Sequence, residues 1–264
     1  MTMPKYPPCA FCQETDYPLH KEDVFANWIA KLFPHVEWTT VDLKTGKIRS
    51  RSTRKQTVGL ICDKVCKKCN NEWMSILESN VKLILKSLIF AERNTPLIPS
   101  EQRKLAKWLI KTANTADLAV HGTHNCFFTP NDRLKLTRGL MLPSTDLFIA
   151  QFSGTLRHIA VLGGTLEPDA SKIDKENRYL SDTEGYVFTL TIQHVTFQVF
   201  SVRSSNPLPK KLTFIPSPFW ASDVTARLWP PTRKPINWPL RFSLDNALLR
   251  KFNNRWFTAI PRLS

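Results

Sequence analysis

Four cysteines carry the most specific chemistry in the chain. Cys9-Ala-Phe-Cys12 lies near the start, and Cys66-Lys-Lys-Cys69 opens the first long helical pattern. In each pair two residues separate the cysteines, a spacing that lets a tight knuckle or a helix start present both thiolates to one ion. Four thiolates suit tetrahedral zinc. We read Cys9, Cys12, Cys66 and Cys69 as one structural Zn2+ site. Four unrelated core cysteines are the alternative, since free Cys is often buried, yet lysines rather than apolar runs flank these pairs. Cys62 and Cys126 stand outside the quartet, and Cys62 reads as a half-buried structural thiol rather than a substitute ligand.

The spacer dictates what must bring the pairs together. Fifty-three residues separate Cys12 from Cys66, so a small sub-structure is inserted between the two halves of the site. That pattern suits a treble clef, in which a knuckle gives two ligands and the first turn of a helix gives two more. Within the insert, Val24, Phe25, Trp28, Ile29 and Leu32 recur at helical spacing, which predicts a helix capped by Asp23 and ended by Pro34. Residues 39–60 carry Lys44, Lys47, Arg49, Arg51, Arg54 and Lys55 around a turn at Lys44-Thr-Gly-Lys47, predicting a basic hairpin. Lys64, Lys67 and Lys68 extend the same sign across the cysteine site. We read this set as phosphate contacts, against the plain alternative of a solvated charged face.

From Asn70 to Ala91, the residues Trp73, Ile76, Leu77, Val81, Ile84, Leu85, Leu88 and Ile89 keep a helical period and predict a spine helix. Ser100 caps a second helix with Leu105, Trp108, Leu109, Thr112, Ala113 and Ala116 on one side. Thr129-Pro-Asn-Asp132 starts a third, shorter helix that Gly139 closes. Past position 145 the texture turns to strands at 146–153, 156–162, 186–193 and 194–203, expected as an antiparallel meander. Residues 206–240 are dense in proline, with Trp220, Trp229 and Trp238, and read as a clamp over that sheet. A last helix is predicted over 243–252. The fold class is therefore α+β, with a zinc module and spine helix over 1–92 and, over 93–264, a helical linker followed by an antiparallel β-rich domain with a C-terminal helix.

Composition narrows the class of partner. The chain has 264 residues, 42% of them hydrophobic and 11% aromatic, enough for a packed core. Lys and Arg number 37 against 22 acidic residues, a formal net charge of +15 that favours a polyanion such as nucleic acid or an acidic membrane surface. No stretch approaches the roughly 18 consecutive apolar residues of a spanning helix, and the opening residues lack the apolar core of a signal peptide. A soluble, cytoplasmic protein without a membrane partner is expected, and the cysteine spacing agrees with a reducing compartment. The oligomeric state stays open.

Both ends of the split stretch resemble the HNH, or ββα-metal, nuclease motif on a treble-clef scaffold. More closely, the two cysteine pairs, Lys21-Glu-Asp-Val-Phe25 with Trp28, and Val65-Cys-x2-Cys-Asn-Asn-x-Trp-Met-Ser75 are similar to an uncharacterised bacterial family with an HNH-like N-terminus. The likeness continues into Ser100-Glu-Gln, Leu105-Ala-Lys-Trp-x2-Lys-Thr112, Phe128-Thr-Pro and Leu228-Trp-Pro-Pro. The resemblance implies an acidic residue at Glu22, a general base at Asp23 and a helix ligand at Asn70 or Asn71, gathering one Mg2+ or Mn2+ at a phosphodiester. The sequence departs from the motif at the base, because Asp23 stands where the pattern has His and Ala26 where it usually has Pro. A carboxylate is a much weaker base than imidazole. Asp23 therefore reads alternatively as a second metal ligand, with His20 as the nearest replacement imidazole.

Capping and the helix dipole also explain Glu22, Asp23, Asn70 and Asn71 when each is taken singly. Their joint placement beside the cysteines gives the leading reading, an HNH-like nucleic-acid-binding protein that is a metal-dependent DNA endonuclease or derived from one, acting on DNA rather than RNA. The alternative is a catalytically degenerate zinc module that binds DNA or RNA. A third reading is a protein-interaction scaffold built on the Trp- and Pro-rich region.

Overall fold

The computed structural model describes residues 4–33, 38–41, 48–51, 60–155, 159–168, 183–205, 212–215, 224–231, 233–252 and 256–261. The chain forms two compact units. The first comprises Met1–Trp38, Ser50–Lys86 and Ser100–Pro143, and the second Thr39–Arg49, Ser87–Pro99 and Ser144–Ser264.

In the first unit the chain runs through β1 (Leu19–Asp23) and α1 (Asn27–Lys31). After β2 (Trp38–Val41) and β3 (Ile48–Arg51) it returns through β4 (Ile61–Cys66). Strands β1 and β4 are antiparallel, with Leu19 opposite Cys66, Asp23 opposite Ile61 and a register shift between His20 and Glu22. The Val24 amide donates to the Leu60 carbonyl at 3.0 Å, so the ladder continues past Asp23. This corrects the expected helix start: Asp23 is committed to strand pairing and caps nothing. Val24, Phe25 and Ile29 are buried by a bend and the short α1 instead.

Strand β4 runs directly into α2 (Lys67–Cys69), a π-helical turn (Asn70–Met74) and α3 (Ser75–Ile89), which together form the predicted spine. Val81, Leu85 and Leu88 are buried, whereas Ile76 is 59% exposed. At about 100° per residue, a position five before Val81 points to the opposite face. Next come α4 (Pro99–His121) and α5 (Pro130–Thr137). Helix α4 was expected to bury one side, but every residue from Trp108 to Leu118 is buried. Its polar side chains turn inward on their own helix: Thr112 Oγ1, Asn114 Nδ2 and Thr115 Oγ1 donate to the carbonyls of Trp108, Ile110 and Lys111, each at 2.9 Å. Helix α5 starts with the predicted capping box, Thr129 with Asp132, and Gly139 closes it at φ +71°.

The second unit is built on β5 (Thr145–Phe152), β6 (Ile159–Pro168), β7 (Thr183–Ile192) and β8 (Val195–Ser204). Their order is β5-β8-β7-β6, with antiparallel neighbours. The meander is thus broken at one point, where β5 pairs with β8 and not with β6. Residues of β7 and β8 are buried on both faces, so both faces of the sheet are covered at these strands. The remaining elements are β9 (Leu212–Ile215), β10 (Thr225–Trp229), β11 (Ser243–Leu244), α6 (Asn246–Phe252) and β12 (Trp256–Pro261). Strand β10 pairs with β5, and β12 lies between β6 and β9. The proline-dense region, expected as a clamp, therefore contributes strands to the sheet, while Trp220 lies outside the described residues. Leu244 and Leu249 close over Phe148, Ala150 and Phe152. Strand β2 pairs with β3 and, in parallel, with β6. The architecture is mixed α and β, with the cysteines near the N-terminus and mainly antiparallel sheet in the C-terminal part.

Candidate metal centre

The Cys9–Cys12 knuckle is a tight turn. The Gln13 amide donates to the Cys9 carbonyl at 3.0 Å, and Gln13 itself adopts φ 63°. The Ala10 amide reaches across to the Lys64 carbonyl at 2.9 Å, fastening the knuckle to β4 just before that strand delivers Cys66. Cys66 then caps α2, its sulfur accepting from the Cys69 amide at 3.4 Å. As a result the four sulfur atoms lie within 4.8 Å of one another. Cys9 and Cys69 are 3.9 Å apart and Cys12 and Cys66 3.7 Å apart, sulfur to sulfur. A tetrahedron with metal–sulfur bonds of about 2.3 Å has edges of about 3.8 Å. The donor set and its spacing fit zinc, and these four residues would hold it.

Backbone dipoles prepare the sulfurs for negative charge. The amides of Phe11 and Cys66 both donate to Cys9 Sγ, at 3.4 and 3.3 Å. A sulfur that already faces two donors is best as the acceptor toward Cys69. The Cys69 hydrogen bond, with these amides, lowers Cys9 to about 4. The same hydrogen bond and then burial push Cys69 up, while contact with the Trp73 indole, short of a full hydrogen bond, works the other way. Burial pushes Cys12 up to about 12. Four thiolates crowded this closely repel one another, and a dication is what stabilises them together.

The centre is braced from elements far away in sequence. Arg133 on α5 is 1% exposed. Its Nε donates to the Ala10 carbonyl at 2.9 Å, and its Nη1 donates to the Phe128 carbonyl and, at 3.3 Å, to Cys126 Sγ. The Phe11 and Trp73 rings meet at 5.6 Å between centroids. Cys62 lies on β4 opposite Glu22, outside the quartet, and burial raises it to about 11. It is fully buried rather than half-buried.

The acidic residues assigned by resemblance gather elsewhere. Glu22, buried near the end of β1, meets the Lys111 ammonium of α4 at 3.5 Å, and the same ammonium meets Glu78 of α3 at 2.8 Å. Burial first, and the neighbouring Glu78 charge, raise both Glu22 and Asp23, with Lys111 opposing the shift at Glu22. Asn70 and Asn71 sit on the π-helical turn next to Cys69, half-buried and exposed respectively, and His20 is exposed on β1. The structure thus groups Glu22 and Asp23 with Glu78, which the sequence reading does not single out, and with Lys111, which it quotes in Leu105-Ala-Lys-Trp-x2-Lys-Thr112 without a role. Among the described residues, the cysteines are the single group of three or more His, Cys, Asp or Glu side chains close enough to share an ion.

Of the basic set, Lys64 pairs with Asp63 at 3.1 Å, Lys68 pairs with Glu14 at 3.3 Å and stands over the Tyr17 ring, and Lys67 is exposed. Arg49 and Arg51 are on β3. Lys44, Lys47, Arg54 and Lys55 lie outside the described residues. Among the described residues no helix is long and apolar enough to cross a membrane. No protein-family model matches the chain, and neither a curated protein nor a solved structure matches it at a significant level.

Proposed function

We propose that the chain is an HNH-derived nucleic-acid-binding protein in which a structural zinc ion joins the knuckle, the β1–β4 pair and the α2 start into one binding module, with DNA as its partner. The convergence of four sulfurs from two distant segments carries this reading, and the net charge of +15 supports a polyanionic partner. Lys67 and the basic residues of 44–55 would neutralise phosphates. Binding to labelled DNA and RNA duplexes, titrated against salt, tests it: the logarithm of the binding constant should fall linearly with the logarithm of salt concentration, by a slope of about −0.9 per phosphate contacted on DNA. Salt-independent binding, or none, defeats the proposal.

Retained hydrolysis is the second reading. It is favoured by the position of Glu22 and Asp23 on the strand paired with the one that feeds the cysteine helix. Plasmid nicking with Mg2+ or Mn2+, lost in Glu22→Ala and Asp23→Ala, is its expected result; nicking that persists in both variants assigns the activity elsewhere.

A further inference from the structure

The Glu22–Glu78–Lys111 cluster has a geometry that bears directly on divalent metal. The Lys111 side chain is wholly buried, against 8% exposure for Glu22 and 22% for Glu78, and its ammonium is 2.8 Å from Glu78 and 3.5 Å from Glu22. Every residue of α4 from Trp108 to Leu118 is buried, so the ammonium sits among buried neighbours. A Mg2+ ion at Glu22 would need oxygen ligands at about 2.0–2.1 Å in an octahedron. The carboxylate that would supply one of them already faces a fixed cation.

We propose that Lys111 is the permanent cation of this cluster: its ammonium holds the place at Glu22 that a divalent ion takes in an HNH-like hydrolase, and the two cations exclude each other there. The proposal rests on the HNH-like reading of β1. Glu22 comes from β1 and Glu78 from α3, and the Lys111 ammonium reaches both carboxylates from a third element, α4. Lys111 is thus a positioning residue, and nucleic-acid binding by this module does not depend on Mg2+.

The test uses the zinc-loaded full chain and Mn2+ as the probe, followed by the loss of the free-ion electron paramagnetic resonance signal and by thermal melting. Lys111→Ala is expected to bind Mn2+ about tenfold tighter or more than the wild type, to melt lower without it and to be rescued by it. The gain should vanish in Lys111→Ala/Glu22→Gln. Should Lys111→Ala fold poorly, refolding in the presence of Mn2+ reads the same rescue, and failure there counts against the proposal. Lys111→Met/Glu22→Gln, with no charge at either position, should fold without Mn2+ and ignore it. Wild-type binding of Mn2+ as tight as that of Lys111→Ala, abolished by Glu22→Gln, overturns the exclusion. DNA and RNA binding is measured in parallel without added divalent ions. If every variant ignores nucleic acid while the Mn2+ pattern holds, the proposed function fails and the role of Lys111 stands.

Discussion

An ammonium shut away from water survives only where carboxylates meet it, and the Lys111 triad sets the strongest residue-scale expectations. Removing one partner of a buried ion pair costs about 3–5 kcal/mol, so Lys111→Ala should lower the urea midpoint by a corresponding amount without changing the slope. Asp23 has the opposite sign. Its folded-state pKa is raised by burial and by Glu78, so its contribution is fully present below the unfolded value of about 4 and is lost as pH rises through the folded value. Asp23→Asn should therefore melt above the wild type at neutral pH, with the difference closing as pH falls toward 4. Equal melting temperatures across that window would remove the argument. Sequence reading found Glu22 and Asp23 because a motif names them. It gives no role to Glu78 or Lys111 because their partnership spans three segments, although Lys111 follows the apolar pair Leu109-Ile110, where a charge needs a reason. Arg133 was hidden in the same way: its length carries it from α5 to the knuckle, a distance invisible in one dimension.

At the scale of elements, the parts legible in advance are those whose signals are local. The capping box at Thr129, the turn-closing Gly139 and the spine's apolar stripe all depend on residues within a turn or two of each other. The helix expected at Asp23 failed because strand pairing with Ile61 and Cys62 outweighed capping propensity, a tertiary effect. The β5–β8 pairing was likewise invisible, since strand content follows from composition but strand order follows from what must be central. Zinc provides the element-scale test. Stripping the metal should expose the amides of Phe11, Cys66 and Cys69, which donate to sulfur, to rapid hydrogen exchange, while those of β7 and β8 keep their protection. Uniform loss across both sets would mean that the ion holds more than the knuckle, whereas no change would remove zinc from the account. Structural sites of this kind carry about 10–16 kcal/mol of binding free energy, so the contrast should be large.

For the whole molecule, the chain is threaded so that the first unit needs residues 100–143 as well as the cysteine segments. A fragment ending at residue 92 would leave Glu22 and Glu78 without Lys111 and the Ala10 carbonyl without Arg133. It should be unfolded by circular dichroism even with zinc supplied, while the full chain folds. A fragment 1–92 with native-like ellipticity would show that the cysteines and the β1–β4 pair suffice by themselves. One local irregularity extends its influence across that same unit. The π-helical turn at Asn70–Met74, in which the Ser75 amide bonds back to the Asn70 carbonyl, contains one residue more than an α-helical turn would. The π turn uses that extra residue on about the same rotation as an α turn, so deleting one residue from 70–74 should let the segment relax to ordinary winding while Glu78 keeps facing its ammonium. The same deletion between Ser75 and Leu77, where the winding is already α-helical, would turn Glu78 by about 100° away from Lys111 while the thiolates stayed in place. A library of single-residue deletions scored by thermal melting should therefore find residues 70–74 tolerant of a shortened frame and residues 75–77 intolerant of it.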